Sequence, residues 1–177
     1  MLFKFKTIQE DSAYEILTWR YRAPYDYYNP DASHIKNVIR HFLKHQNSYY
    51  SIHDEDKNLI GFCCFGSEGQ VLGGNYHDDA LDIGLGLHPD LTGKGKGKAF
   101  FASILGFTCH TFSPMTIRLT VAEFNKRAIR LYENTGFRET DSFLSRIDGK
   151  PFVIMARKLN HVQPPQHRPL NLSLIHI

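Results

Sequence analysis

A single mixed α/β domain is the fold class this chain predicts, and three observations carry it. Over residues 81–109 an alternating apolar strand, a glycine-lysine loop and an amphipathic helix follow one another. The later half as a whole reads strand, loop, helix, strand, helix, strand, strand, switching repeatedly between periods of two and 3.6. The 177 residues, 42% hydrophobic and 13% aromatic, suffice for one good core but not for two ordinary domains.

The elements follow in order. Residues 3–8 (FKFKTI) alternate as a half-buried strand does. Asp11 or Ser12 can cap a helix running to about Arg20. Residues 21–30 (YRAPYDYYNP), with two prolines and dense tyrosine, form a loop or short turn. Residues 33–45 place Ile35, Val38, Ile39 and Phe42 at helical spacing. Residues 49–53 and 59–65 flank the polar stretch DEDKN as a hairpin would, and a glycine-rich loop spans 66–79. In the long strand Leu81, Ile83, Leu85 and Leu87 take one face, and Asp82, Gly84, Gly86 and His88 the other. That second face is nearly bare backbone, which marks a close approach by a ligand or another backbone.

A helix from about 96 to 109 carries Phe100, Ile104 and Phe107 on one stripe, and residues 115–121 are a further strand. Residues 125–134 form a helix, with Gly136 where a left-handed cap belongs. Residues 137–147 and 152–158 close as an antiparallel pair around Asp148-Gly149. The domain therefore covers residues 1–160, and the Pro- and His-rich residues 161–177 read as a flexible or tag-like tail.

A formal net charge of +3 implies no broad nucleic-acid footprint. No run of about 18 apolar residues and no signal peptide is visible, so a membrane is not an expected partner. Cys63, Cys64 and Cys109 form no CxxC pair and read as buried, reduced thiols of a cytoplasmic protein.

Gly93, Gly95 and Gly97 alternate with Lys94, Lys96 and Lys98 just before a helix start. Free backbone N–H groups, a helix N-terminus and three cations together are the physics of a phosphate site. A surface turn with solvated lysines is the plainer reading of the loop alone. The order GxxxxGK[ST] is absent, and the glycine spacing is not that of a dinucleotide fold. A second constellation, Thr120 to Phe137 (TVAEFNKRAIRLYENTGF), sets Asn125 at a helix start with Ala128, Leu131 and Tyr132 at helical spacing. Tyr132 is either core or a hydroxyl at the reactive end of a ligand.

Together the two constellations resemble the GNAT superfamily of acetyl-CoA-dependent N-acetyltransferases. Thr92-Gly93-Lys94-Gly95-Lys96-Gly97 is similar to its first signature, with Thr92 where Gln or Arg is usual. Asn125, Ala128, Leu131, Tyr132, Gly136 and Phe137 match its second. The resemblance implies a GNAT-like fold with a mixed, mostly antiparallel twisted sheet flanked by helices, acetyl-CoA as cosubstrate and no metal. It further implies that Leu85 and Leu87 offer main-chain groups to the pantetheine arm. The amides of Gly93, Lys94, Gly95, Lys96, Gly97 and Lys98 would hold the pyrophosphate, and Asn125 the pantetheine region. Tyr132 would be the general acid at the sulfur. Lys126 or Arg130 could reach the adenosine phosphates, or simply be solvated.

The implied activity is acetyl transfer to a primary amine by direct attack in a ternary complex, the alternative being a noncatalytic acyl-CoA-binding or sensory domain. A base is then useful, and Asp82, on the strand face of Gly84 and Gly86, is the first candidate, ahead of Glu123. Either could equally be a structural charge. For the acceptor, Trp19, Tyr25, Asp26 and Tyr28 combine aromatic faces with a carboxylate, as a cationic amine requires; core padding is the other role open to the rings. His77, Asp78 and Asp79 are consecutive loop residues and read as a hydrated turn rather than a metal site. Small-molecule amines and protein or peptide amines are both open as acceptors, nucleic acid is not an expected partner, and a homodimer is allowed without a readable signal for it.

Overall fold

A computed structural model of the chain describes residues 2–160, and the expected tail lies outside them. Strand β1 (Lys4–Thr7) leads into helix α1 (Glu10–Thr18), then α2 (Ile35–Leu43), β2 (Tyr49–His53), β3 (Leu59–Phe65) and β4 (Leu81–Leu87). Helix α3 (Gly97–Phe112), β5 (Thr116–Ala122), α4 (Lys126–Asn134), β6 (Arg138–Leu144) and β7 (Pro151–Lys158) complete the domain. Among the described residues one seven-stranded sheet has the order β1-β2-β3-β4-β5-β7-β6, with only the β4–β5 pair parallel.

The helices take opposite faces of the sheet, and two adjacent residues of β3 show why. A Cβ on Gly61 would run into the Phe100 ring of α3, whereas the neighbouring Phe62 packs with the α1 and α2 cluster. Successive residues of a strand point to opposite faces. On one face Ile8, Ala13, Ile16, Leu17, Trp19 and Ile39 form a small core. On the other a larger core gathers Ile83, Phe100, Phe101, Ile104, Leu119, Tyr132 and Phe137.

Several sequence readings shift. Gln9, not Asp11 or Ser12, precedes α1; its side chain makes no cap, and Glu10 and Asp11 fall in the first turn, where they favour the helix dipole. Helix α3 continues to Phe112 because Ser113 adopts the left-handed conformation that ends it. Cys109 is exposed on that helix, against the expectation of three buried thiols, while Cys63 and Cys64 are buried. Gly136 has φ +92, as its cap position requires. Among the described residues no helix is long and apolar enough to cross a membrane.

Candidate active site

Strands β4 and β5 pair only at Leu81↔Ile117, Asp82↔Arg118 and Ile83↔Leu119, and then part. From Gly84 to Leu87 the β5-facing edge of β4 is open. The His88 N–H donates to the Ile60 carbonyl on β3, at 2.8 Å. Main-chain groups alternate sides along a strand, so those of Leu85 and Leu87 face the gap. The Leu87 carbonyl accepts a hydrogen bond there from the Tyr21 hydroxyl, at 2.8 Å. Burial pushes that phenol up to about 12.

The bare face of β4 has a different cause from the one its glycines suggest. Cross-strand neighbours fill it: Phe62 lies opposite Gly86 and Cys64 opposite Gly84. A Cβ on Gly86 would strike the Phe62 ring, and one on Gly84 would sit 2.6 Å from Cys64 Sγ. The glycines therefore admit side chains of β3, and the ligand-accessible part of β4 is its edge.

The gap opens into a cavity of about 700 Å³ with walls from both helix pairs, within the size range of small-molecule sites. Thr92, Gly93, Gly95 and Gly97 border it at one end. Gly93 and Gly95 have φ of +72 and +73, a conformation that turns successive amides to one side and that side chains disfavour. The first backbone bond of α3 runs from the Phe100 N–H to the Lys96 carbonyl, so the amides of Gly97, Lys98 and Ala99 precede the ladder. Lys94, Lys96 and Lys98 are exposed and stand outside the wall. Lys126 and Arg130 border a separate groove with Glu123 and Glu133. Arg127 is the cation beside the loop: a Cβ on Gly93 would lie 3.3 Å from its Nη1, and its guanidinium covers the Tyr25 ring at 4.3 Å. Spacing alone did not single it out, because its role depends on how α4 is docked.

Asn125 caps α4, its Oδ1 accepting from the Ala128 N–H at 3.1 Å, while its Nδ2 donates to the Tyr28 hydroxyl at 3.2 Å. Tyr132, one turn beyond Ala128 in α4, borders the cavity, its ring tilted against Phe101 at 4.9 Å. Burial holds its phenol well above the usual range, so it stays protonated at neutral pH. Tyr28 is raised as well, by burial first, with the Asn125 amide opposing.

Asp82 departs from expectation. It is 2% exposed, does not border the cavity, and faces Arg118 across the last paired rungs. Its oxygens accept from Arg118 Nε at 2.6 Å, Arg118 Nη2 at 2.8 Å and Gln70 Nε2 at 2.8 Å. The carboxylate in turn holds the guanidinium above its ordinary range. Both oxygens are thus engaged by Arg118 and Gln70, which ties the carboxylate into the pairing of β4 with β5 and away from the cavity. Glu123 borders the separate groove.

On the α1/α2 face the cavity is bordered by Trp19, Tyr21, Tyr25 and Tyr28, joined by Val38, Phe42 and Tyr49. Asp26 is exposed and outside the wall, and the reason is local. Tyr25–Tyr28 is a 3₁₀ turn, in which residues i and i+3 share a face. Tyr25 and Tyr28 therefore point one way together and Asp26 another. Asp31 is the carboxylate that does border the cavity. Tyr27 turns away, its hydroxyl donating to Asp148 at 2.8 Å. Among the described residues no three His, Cys, Asp or Glu side chains converge as a metal site would require.

The comparisons with known proteins come down on one family. A search of the curated proteins finds no match. Solved structures do match in fold. One is a chimera of spermidine N-acetyltransferase SpeG from Vibrio cholerae and hSSAT, at TM-score 0.66 and 19% identity, covering 89% of this chain and 96% of that one. Another holds mutant forms of the Vibrio cholerae spermidine/spermine N-acetyltransferase SpeG, at TM-score 0.63 and 20% identity, covering 89% and 95%. A third is the same SpeG in complex with manganese ions, at TM-score 0.63 and 20% identity, covering 88% and 92%. The acetyltransferase (GNAT) family model matches residues 11–137, and with the mixed sheet, the parted central strands and the glycine loop at the head of α3, the chain belongs to the GNAT acetyltransferase family.

Proposed function

We propose that the chain moves the acetyl group of acetyl-CoA to a primary amine by direct attack within a ternary complex. One observation carries the reading: the open edge of Leu85 and Leu87, the glycine loop and the Tyr132 phenol all border a single cavity. Residues present fit the cosubstrate. Left-handed glycines and the leading amides of α3 suit a pyrophosphate, and an unpaired strand edge suits the amides of a pantetheine arm, as an added strand would. Acetyl-CoA supplies the activated acetyl group. The chain's own residues orient it, exclude water and manage protons.

An alkylammonium with a pKa of about 10.4 must lose its proton before it can attack, which at pH 7 costs about 4.6 kcal/mol. The departing thiolate, with a thiol pKa of about 8.5, needs only modest help, and the protonated Tyr132 phenol supplies it. Cys63 and Cys64 are poor nucleophiles, because burial pushes both thiols up, Cys64 to about 12. Asp82 is assigned to holding the fork between β4 and β5, and Arg127 to the phosphate end.

Titration calorimetry with acetyl-CoA, run beside a thiol-release assay over an amine panel, tests the reading. Binding with release supports it. Binding without release from any amine identifies a noncatalytic acyl-CoA-binding domain instead.

A further inference from the structure

The geometry points to the acceptor being a small primary monoamine carried on an apolar, aryl-bearing body, not a polyamine. This rests on the acetyl-transfer reading. On the α1/α2 side the wall is Leu17, Trp19, Val38, Phe42, Tyr49 and Phe62, and the Phe42 and Tyr49 rings stack at 4.3 Å and 18°. Among the described residues bordering the cavity, only Asp31 and Arg127 carry formal charge. Arg127 lies at the glycine-loop end, over Tyr25. A single ammonium has the exposed Asp31 at the rim and the ring of Tyr28 to meet it, the Tyr25 ring being taken by Arg127. A polyamine brings several ammonium groups, and those beyond the first would meet apolar wall with no carboxylate on it, Glu68 standing behind the Tyr49 hydroxyl, which is unfavourable. An aryl group instead finds flat rings and buries apolar area.

The test measures kcat/KM at saturating acetyl-CoA for phenethylamine, tryptamine, spermidine and a short peptide with a free N-terminus. The aryl amines should exceed spermidine and the peptide by at least about tenfold, the order of discrimination that an apolar pocket supplies. Val38→Glu, which sets a carboxylate on the α2 wall, should narrow the gap to spermidine at least about threefold. Spermidine or the peptide matching the aryl amines overturns the inference and leaves acetyl transfer standing. Absence of thiol release from every amine, with acetyl-CoA still bound, overturns both.

A chain of hydrogen bonds carries a second inference independently: we infer that Tyr49, Glu68 and His41 conduct the ammonium proton from the cavity to solvent. The Tyr49 hydroxyl donates to Glu68 Oε2 at 2.8 Å, and His41 Nε2 meets the same oxygen at 2.8 Å. Tyr49 borders the cavity, whereas the His41 side chain is 47% exposed. Glu68 belongs to the turn Gly66–Gly69, which is pressed so hard on β4 that a Cβ on Gly69 would lie 2.9 Å from the Gly84 nitrogen. The chain therefore ends beside the fork. Facing Glu68 are His41 from α2, Tyr49 from β2 and Cys64 from β3. The turn carrying His45 packs on the same segment, and Asp82 of β4 is held by Arg118.

The protons balance. Moved inward from Asp31, the ammonium passes one to the Tyr49 oxygen as the Tyr49 proton moves to Glu68; a His41 in the tautomer with Nε2 bare accepts it from Glu68 and releases its Nδ1 proton to water. The freed amine lone pair forms the C–N bond as the C–S bond breaks. Sulfur takes the Tyr132 proton, and the second nitrogen proton restores Tyr132. One proton leaves per turnover.

Glu68→Gln should lower kcat about 100-fold with acetyl-CoA affinity unchanged, and should move the acid limb of the kcat/KM profile toward the pKa of the amine. Tyr49→Phe should act in the same direction, and Glu68→Asp should restore part of the rate. A Glu68→Gln enzyme within twofold of wild type across the pH range overturns the relay. So does a variant whose rate and acetyl-CoA affinity fall together while the acid limb stays in place.

Discussion

Asp82→Ala separates a structural carboxylate from a catalytic one, and the structure sets the size of the effect. Asp82 and Arg118 are 2% and 5% exposed and share two hydrogen bonds. Removing one partner of a buried pair costs about 3–5 kcal/mol, because the other charge is left uncompensated. Arg118 would keep the Asp78 carbonyl at 3.1 Å and the face of Tyr76 at 5.0 Å, which places the loss near the lower end, about 3 kcal/mol. For a domain of this size that is a fall of about 6–12 °C in Tm. Urea unfolding and calorimetry at pH 7 read it directly. A double variant, Asp82→Leu with Arg118→Met, should recover most of the loss, since nothing charged remains buried. Stability within about 1 kcal/mol of wild type, combined with a 100-fold fall in kcat and loss of the acid limb, would refute this reasoning and return Asp82 to the role of base.

Four further outcomes are expected. Tyr132→Phe should lower kcat about tenfold or more with acetyl-CoA affinity nearly intact; an unchanged kcat removes the phenol from the proton path. Gly95→Asp should weaken CoA binding at least about tenfold in calorimetry through charge and through a side chain at φ +73, a conformation costing about 1–2 kcal/mol; no protein atom lies within 4 Å of its new Cβ, so the fold should survive. Gly86→Ala should cost about 1–3 kcal/mol by crowding the Phe62 ring, and Phe62→Leu in that background should restore part of it in thermal melts. His53 is buried with its Nδ1 unpartnered, and burial lowers its pKa. A lowered histidine favours the neutral folded form, so its contribution is full above about pH 6.5 and is lost as pH falls below that value. His53→Phe should flatten the decline in Tm between pH 7 and pH 5.

What sequence reveals here is whatever repeats locally. The glycine-lysine loop, the Asn125 cap and the Gly136 stop each depend on neighbours a few residues away, and each takes the conformation its spacing implies. Asp82 could not be read in that way. Its partner lies 36 residues further on and is brought opposite by the register of two strands joined through α3. The glycines of β4 were legible as a place of close approach, but not what approaches, because Phe62 and Cys64 arrive through hairpin pairing. Asp26 groups with Tyr25 and Tyr28 by nearness in sequence, whereas the 3₁₀ turn decides which side chains share a direction and leaves Asp26 outside the cavity wall. Tyr49, Glu68 and His41 come from three elements, and no spacing ties them together.

The parting of β4 and β5 puts into the middle of this sheet a hazard that other folds confine to their margins. Two half-sheets, four strands and three, are stitched by three rungs and one buried ion pair. Beyond the stitching, Leu85 and Leu87 expose an unsatisfied backbone edge, the kind that invites pairing with whatever strand drifts past. The Tyr21 hydroxyl on the Leu87 carbonyl is a one-atom stopper on that edge. If acetyl-CoA lies along the gap as proposed, it would act as an eighth strand, its supply would also set how firmly the two halves are joined, and stability would rise with the logarithm of its concentration. Under that proposal amide exchange at Leu85 and Leu87 would gauge cosubstrate supply as much as folding.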